Sequence, residues 1–309
     1  MRSARSSVPC AVSEPRTSAR ARRATLLVLA AVAPIAFAAH DPVARSGEVT
    51  AGATAFAGSE RGQHANAAAG VAGARTRVVI VDAGHGGRDP GKTGPNGLQE
   101  KDVALRIAQR VAAVLRERGY EVHLTRTRDT LIALADRAKL ANRLKADRPG
   151  VVFLSIHANA AKARTARGFE TFFLSEARTE DERRVAEMEN EAIHFEEYPA
   201  LPADDGLDKI LSNLRSDFLM RASHDLAAVM QDNFAAFHPG PNRGVKRAGF
   251  YVLVGAVMPA VLIETAFISN RQEAALLGST NFQQLIAWGI ADGVDEFFRR
   301  NEYLWSAGP

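Results

Sequence analysis

The stretch GHGGRDPGKT, residues 84–93, admits two readings that lead to different molecules. From Gly86 it reads GGRDPGKT, which satisfies the G-x-x-x-x-G-K-[ST] pattern of a phosphate-binding loop. From Gly84 it reads as one histidine, His85, held among glycines just after the apolar run RVVIVD (77–82). A phosphate loop needs a cradle of backbone N–H donors and a helix that starts at its Lys-Ser/Thr. Here Thr93 is followed by Gly94-Pro95-Asn96-Gly97, a turn signal that opposes a helix start. Pro90 removes one donor, and Asp89 puts a carboxylate where an anion would sit. The GKT match is therefore read as accidental, and His85 stands as a candidate metal ligand.

Working outward, strands and helices alternate. RVVIVD reads as a buried strand. EKDVALRIAQRVAAVLRERG (100–119) places Val103, Ile107, Val111 and Val114/Leu115 on one face and ends at Gly119, so it reads as an amphipathic helix. YEVHLT (120–125) predicts a strand, and LIALADRAKLANRLKAD (131–147) a second helix. VVFLSIH (151–157), GFETFFL (168–174), FYVLV (250–254) and AVLIET (260–265) predict further strands, with a final helix near 281–300. This order predicts an α/β fold: a mostly parallel twisted sheet flanked by helices. Between 175 and 245 the rhythm breaks. TEDERRVAEMENEAIHF (179–195) reads as an acidic helix, EYPALPADDG (197–206) as a turn-rich loop, and 208–237 as one long helix or two. No strand is expected there, so the region is read as a helical insertion covering the sheet domain.

Residues at the C-terminal ends of such strands, and on the loops beyond, form sites. His85 follows the first strand, His157 closes 151–157, and Glu264 ends the apolar run AVLIE. Glu100 opens the helix after the glycine-rich loop, where the helix's positive end favours a carboxylate. Two imidazoles and a carboxylate suit a catalytic Zn2+ with a position left open for water, and a further carboxylate could carry protons. A histidine at a strand end is often only a hydrogen-bonded core residue, and Glu100 also suits a first helical turn with no metal. The residues alone leave both readings open. For His40, His64, His123, His194, His224 and His238 surface or packing roles are expected.

The chain has 309 residues and a formal charge of +4. Six arginines against one glutamate give residues 1–39 a net +5, which leaves −1 for the rest, so the basicity marks no nucleic-acid face. That segment reads as an export signal: arginines, the apolar run ATLLVLAAVAPIAFAA, then Ala36-Phe37-Ala38 as an A-x-A cleavage site. The run is short and holds Pro34, so no stable membrane span is expected after processing. Residues 40–76 read as a flexible linker, 77–300 as the catalytic domain and 301–309 as a tail. The one cysteine, Cys10, precedes the apolar run, so a metal in the mature chain must use His, Asp or Glu.

The blocks VVIVDAGHGGRDPGKTGPNGLQEKDVALRIA, LTRTRDTLIALADRAKLAN, VFLSIHANA, GFETFFL and VLIETAFISN, in that order, resemble the zinc-dependent N-acetylmuramoyl-L-alanine amidases of the bacterial cell wall, the amidase type 3 family. The resemblance runs from residue 77 to near residue 298. It implies zinc ligands at His85, Glu100 and His157, a catalytic Glu264, peptidoglycan as substrate, and a location in the periplasm or cell envelope. Hydrolysis of the amide between N-acetylmuramic acid and L-alanine of the stem peptide is the implied reaction. In cell-division members a helix covers the zinc, and a glutamate on it fills the fourth position until an activator protein pulls it away. VAEMENEAIHF resembles that helix, with Glu189 the best match; a solvated acidic face with Glu187, Glu189 and Glu191 is the other reading. An activator is expected to dock on 208–237, and Arg126, Arg137 and Arg243 are candidates for touching substrate. The alternatives are another zinc peptidase of stem peptides, or a non-catalytic wall-binding module.

Overall fold

The computed structural model describes residues 77–197 and 217–302. The expected export signal and linker, nearly all of the turn-rich loop, the start of the 208–237 helix and most of the tail lie outside the described residues. The elements run β1 (Val78–Ala83), α1 (Glu100–Glu117), β2 (Glu121–Leu124), α2 (Leu134–Lys145), β3 (Val151–Asn159), β4 (Phe169–Leu174) and α3 (Glu180–Asn190). A 3-10 turn (Glu191–Phe195) follows, then α4 (Asp217–Ala235), β5 (Asn242–Ala248), a second 3-10 turn (Tyr251–Leu253), β6 (Ala260–Phe267), α5 (Arg271–Leu277) and α6 (Thr280–Arg300).

Six strands form one sheet in the order β2-β1-β3-β6-β4-β5, with every neighbouring pair parallel except β4 and β6. The apolar runs are continuous because both faces are covered. On one face Val79, Val81, Val152 and Leu154 meet α1, α4 and α6. On the other, Val78, Ile80, Val151 and Phe153 meet α2, α3 and the 250–258 segment. The stripe expected on α1 is buried as read, at Val103, Ile107, Val111, Val114 and Leu115.

Two features position the site. The C-terminal ends of β1, β3 and β6 lie along one edge, and β4 runs the other way, so its first residues reach that same edge. In register, Glu264 on β6 stands between His157 on β3 and Glu170 on β4. The start of α3 is fixed by a reciprocal cap: Thr179 Oγ1 accepts from the Glu182 N–H at 3.2 Å, and Glu182 Oε2 accepts from the Thr179 N–H at 2.8 Å. That cap sets where Glu189 falls two turns later.

Three expectations need correction. FYVLV (250–254) forms no strand; Tyr251–Leu253 is a 3-10 turn packed under the sheet, ended by Gly255 at φ 83°. The missing strand is β5, NRGVKRA, which begins inside the stretch read as strand-free. It is the sheet's edge, half-exposed and cationic, so it carries none of the apolar pattern that marks a buried strand. The 175–245 region is also less an insertion than expected. Leu226, Met230 and Phe234 of α4 are fully buried in the main core, and β5 belongs to the sheet. The short helix α5 carried no periodic signal in the sequence; Asn270 caps it, accepting from the N–H groups of Gln272 and Glu273.

Candidate metal centre

Four side chains from four distant stretches meet at this edge. Donor atoms of His85, Glu100, His157 and Glu189 all lie within 4.8 Å of one another, and all four residues are buried. His85 Nε2 stands 3.1 Å from both Glu100 Oε1 and Glu189 Oε2. His157 Nδ1 stands 3.2 Å from Glu100 Oε1 and 2.8 Å from Glu189 Oε2. A tetrahedral ion with ligands at about 2.0–2.1 Å would separate neighbouring donors by roughly 3.3 Å. His85 Nε2 and Glu189 Oε2 have no hydrogen-bond partner despite this proximity. Buried donor atoms left unpartnered at this spacing are suited to a shared ion.

The glycine-rich loop builds the room for this. His85 itself sits at φ 59°, a left-handed conformation that a non-glycine residue adopts only when its surroundings impose it. A Cβ on Gly84 would meet the His157 ring at 2.5 Å, and one on Gly91 would meet His85 Cδ2 at 2.7 Å and Glu100 Oε2 at 2.8 Å. The glycines thus serve close side-chain approach and not a phosphate cradle, and α1 begins at Glu100, well past Thr93. Asp89, read in the sequence only as an argument against a nucleotide, bonds His85 Nδ1 at 2.8 Å and so turns Nε2 inward. Glu100 is held by the N–H of Lys92 at 2.9 Å and of Ala158 at 3.0 Å.

The electrostatics ask for positive charge between these groups. Burial works against ionising His157, but Glu189 and Glu100 beside it push the ring up to about 9. Burial likewise opposes His85, yet Glu100 and Asp89 raise it well above its ordinary value. Glu100 is held well below the carboxylate range by the two rings, against the cost of its burial. Two buried carboxylates, Glu100 and Glu189, are balanced either by two ring protons or by one divalent cation. The residues therefore fit a metal ion in charge, donor type and spacing.

Glu264 lies beside this group and outside it. It is fully buried, and neither of its oxygens has a hydrogen-bond partner. Burial, with Glu189, Glu100 and Glu170 nearby, pushes its carboxyl well above the usual range. A buried, unpartnered carboxyl of this kind is a group able to accept and return a proton.

A family model described as N-acetylmuramoyl-L-alanine amidase matches residues 79–296, which span every residue of this site. The chain belongs to the N-acetylmuramoyl-L-alanine amidase family. As a hydrolase of that family it is 38% identical to the amidase AmiA of Escherichia coli over 224 residues, covering 72% of this chain and 76% of that one. It is 34% identical to AmiC of Neisseria meningitidis, covering 72% of this chain and 53% of the relative. The solved structure of AmiC2 of Nostoc punctiforme matches with a TM-score of 0.54 at 29% identity, over 72% of this chain and 98% of that one.

In this amidase two of the arginines considered for substrate contact are buried struts. Arg137 is 2% exposed, pairs with Asp82 at 3.0 Å, and donates to the carbonyls of Ala83 and His85. Arg126 is 3% exposed and donates to the carbonyls of Ala83, Gly84 and Lys101. Both hold the loop that carries His85. Arg243 alone remains partly open, paired with Glu170 and Asp181. Among the described histidines outside the site, His238 is packed with Nε2 3.1 Å from the Thr265 carbonyl, His123 pairs with Glu121, and His194 and His224 are exposed.

Proposed function

We propose that this amidase is an exported, zinc-dependent, self-inhibited peptidoglycan hydrolase. His85, Glu100 and His157 hold the ion, Glu264 moves the proton, and Glu189 fills the remaining position. The observation that carries the reading is the convergence of the four buried donors beside an unpartnered Glu264. Two imidazoles with carboxylates and no thiolate suit zinc. When bound, zinc supplies a Lewis acid that polarises the lactyl carbonyl and makes water a nucleophile near neutral pH. Glu264 takes the proton from the attacking water as the C–O bond forms, then returns it to the nitrogen of L-alanine, which leaves as an amine when the C–N bond breaks. Asp89 keeps Nε2 of His85 directed at the ion, and Arg126 and Arg137 keep the loop from relaxing. The export reading rests on the arginine-led apolar segment before Ala36-Phe37-Ala38, and the substrate polymer lies outside the cytoplasm.

Self-inhibition follows from α3. Glu189 is 3% exposed, and its carboxylate lies against both histidines, where an open position is needed for water and substrate. Activity then requires α3 to withdraw. An activating partner is expected to act on α3 more than on α4, whose apolar face is consumed by the core. Incubated with purified peptidoglycan, Glu189→Ala is expected to free intact stem peptides faster than wild type by about tenfold or more. Shortened peptides in place of intact ones would favour a stem-peptide peptidase, and no gain in rate would remove the self-inhibition.

A further inference from the structure

Beyond Glu264 the same row of the sheet continues into a second ionic group. Glu170 is fully buried on β4, in register with Glu264. Its Oε2 accepts from Arg243 Nε at 2.8 Å and lies 2.5 Å from Lys246 Nζ, both on edge strand β5, and its other oxygen accepts from Asn159. One carboxylate thus faces two cations. The second negative charge comes from α3: Asp181 Oδ2 lies 2.6 Å from Lys246 Nζ and 3.2 Å from Arg243 Nη2, while its Oδ1 accepts from Arg184. Burial opposes ionisation of Asp181, but Lys246 and Arg184 hold it down at about 2. The side chains of Arg243, Lys246 and Asp181 are 30%, 15% and 39% exposed, so solutes can reach this group.

We propose that Arg243 and Lys246 form a receptor for a carboxylate on the peptide side of the scissile bond, and that Asp181 occupies it in the present state. The inference rests on α3 being the inhibitory element proposed above, and it gives that helix a second plug. Glu189 at its end fills the metal position, and Asp181 in its first turn fills an anion position. When α3 withdraws, Asp181 goes with it, while Glu170 stays on the sheet and neutralises only one of the two cations. One positive charge is left on β5, two strand spacings, roughly 9.6 Å at the backbone, beyond Glu264, with β4 between them. A peptide extends at most about 3.6 Å per residue, so L-alanine and the residue after it span about 7 Å from the leaving nitrogen, and the long side chains of Arg243 and Lys246 cover the remainder. A γ-linked glutamate at that position carries its α-carboxylate there, and Arg243 offers the planar fork that suits it.

The test compares the dipeptide L-Ala-γ-D-Glu with its α-amide, titrated calorimetrically into the whole protein. Asp181→Asn leaves the Thr179–Glu182 cap of α3 intact. It is expected to tighten binding of the carboxylate peptide about tenfold and to leave the amide unchanged, and adding Arg243→Gln is expected to cancel the gain. An equal gain for both peptides would mean only that α3 has loosened, and would overturn the proposal. In a Glu189→Ala background, Arg243→Gln is further expected to raise KM about tenfold for the carboxylate substrate at unchanged kcat, with no effect on the amidated substrate. An unchanged KM overturns the receptor. Lys246→Gln is read in the same way should Arg243→Gln not fold. If Asp181→Asn gives its gain while Glu189→Ala gives no rise in activity, the receptor stands and the metal plug falls.

Discussion

Glu264→Gln is expected to lower amide hydrolysis by about 10²–10⁴-fold while leaving the fold and the bound metal as they are. The substitution is nearly isosteric and removes only the ability to take up a proton. Neither oxygen of Glu264 has a hydrogen-bond partner, so no contact is lost. Glu264 is not among the four converging donors, so metal content is expected to match wild type. The wild-type carboxyl is buried among Glu189, Glu100 and Glu170, and a neutral amide there is expected to leave the melting temperature equal or slightly higher. Release of intact stem peptides, thermal melting and metal content, measured on one preparation, check all three points. A variant that keeps more than a tenth of the wild-type rate would sink the proton-carrier role.

Arg137→Ala is expected to cost about 3–5 kcal/mol of stability, a large part of the ~5–15 kcal/mol typical of a domain. Its guanidinium is the counter-charge of Asp82, which is fully buried and also accepts from the hydroxyls of Thr125 at 2.6 Å and Ser155 at 2.7 Å. Burial alone would raise the Asp82 carboxyl, but Arg137 and the two hydroxyls hold it below its ordinary value. Removing Arg137 strands that charge and releases the carbonyl of His85, while the carbonyl of Ala83 keeps its bond from Arg126. The sign with pH follows. A depressed carboxyl contributes stability that is full above the ordinary aspartate range and fades as the medium is acidified through the folded value. Arg137→Ala should therefore be least stable relative to wild type near neutrality, with the gap closing in acid. Urea unfolding at both pH values measures it. A loss below about 1 kcal/mol at neutral pH would show that Asp82 finds another partner.

The sequence and the structure agree at the central strands, where burial on both faces writes a pattern. β1, β3 and β6 are buried on both faces and so read as unbroken apolar runs, and each ends at a polar residue that stands out against that background. That contrast made His157 and Glu264 legible, and the glycines around His85 marked it. Elements that bury little left no such pattern. β5 is such an element, a cationic edge strand whose side chains serve Glu170 and Asp181. FYVLV misled in the opposite sense, being buried and apolar beneath the sheet yet folded as a 3-10 turn. The arginines misled for a related reason. A guanidinium that braces carbonyls from inside, as at Arg126 and Arg137, looks in a sequence like one that greets substrate. Asp89 was visible four residues after His85, but its bond depends on the left-handed turn at His85, which only the folded loop displays.

The central claim is that one ion ties His85, Glu100 and His157 together, and metal content of the purified chain tests it most directly. Elemental analysis of wild-type protein is expected to give about one equivalent of zinc, and His157→Ala less than about a tenth of that, with far-ultraviolet circular dichroism unchanged. Wild-type protein free of metal after purification without chelators and after incubation with zinc, or His157→Ala that retains a full equivalent, would contradict it.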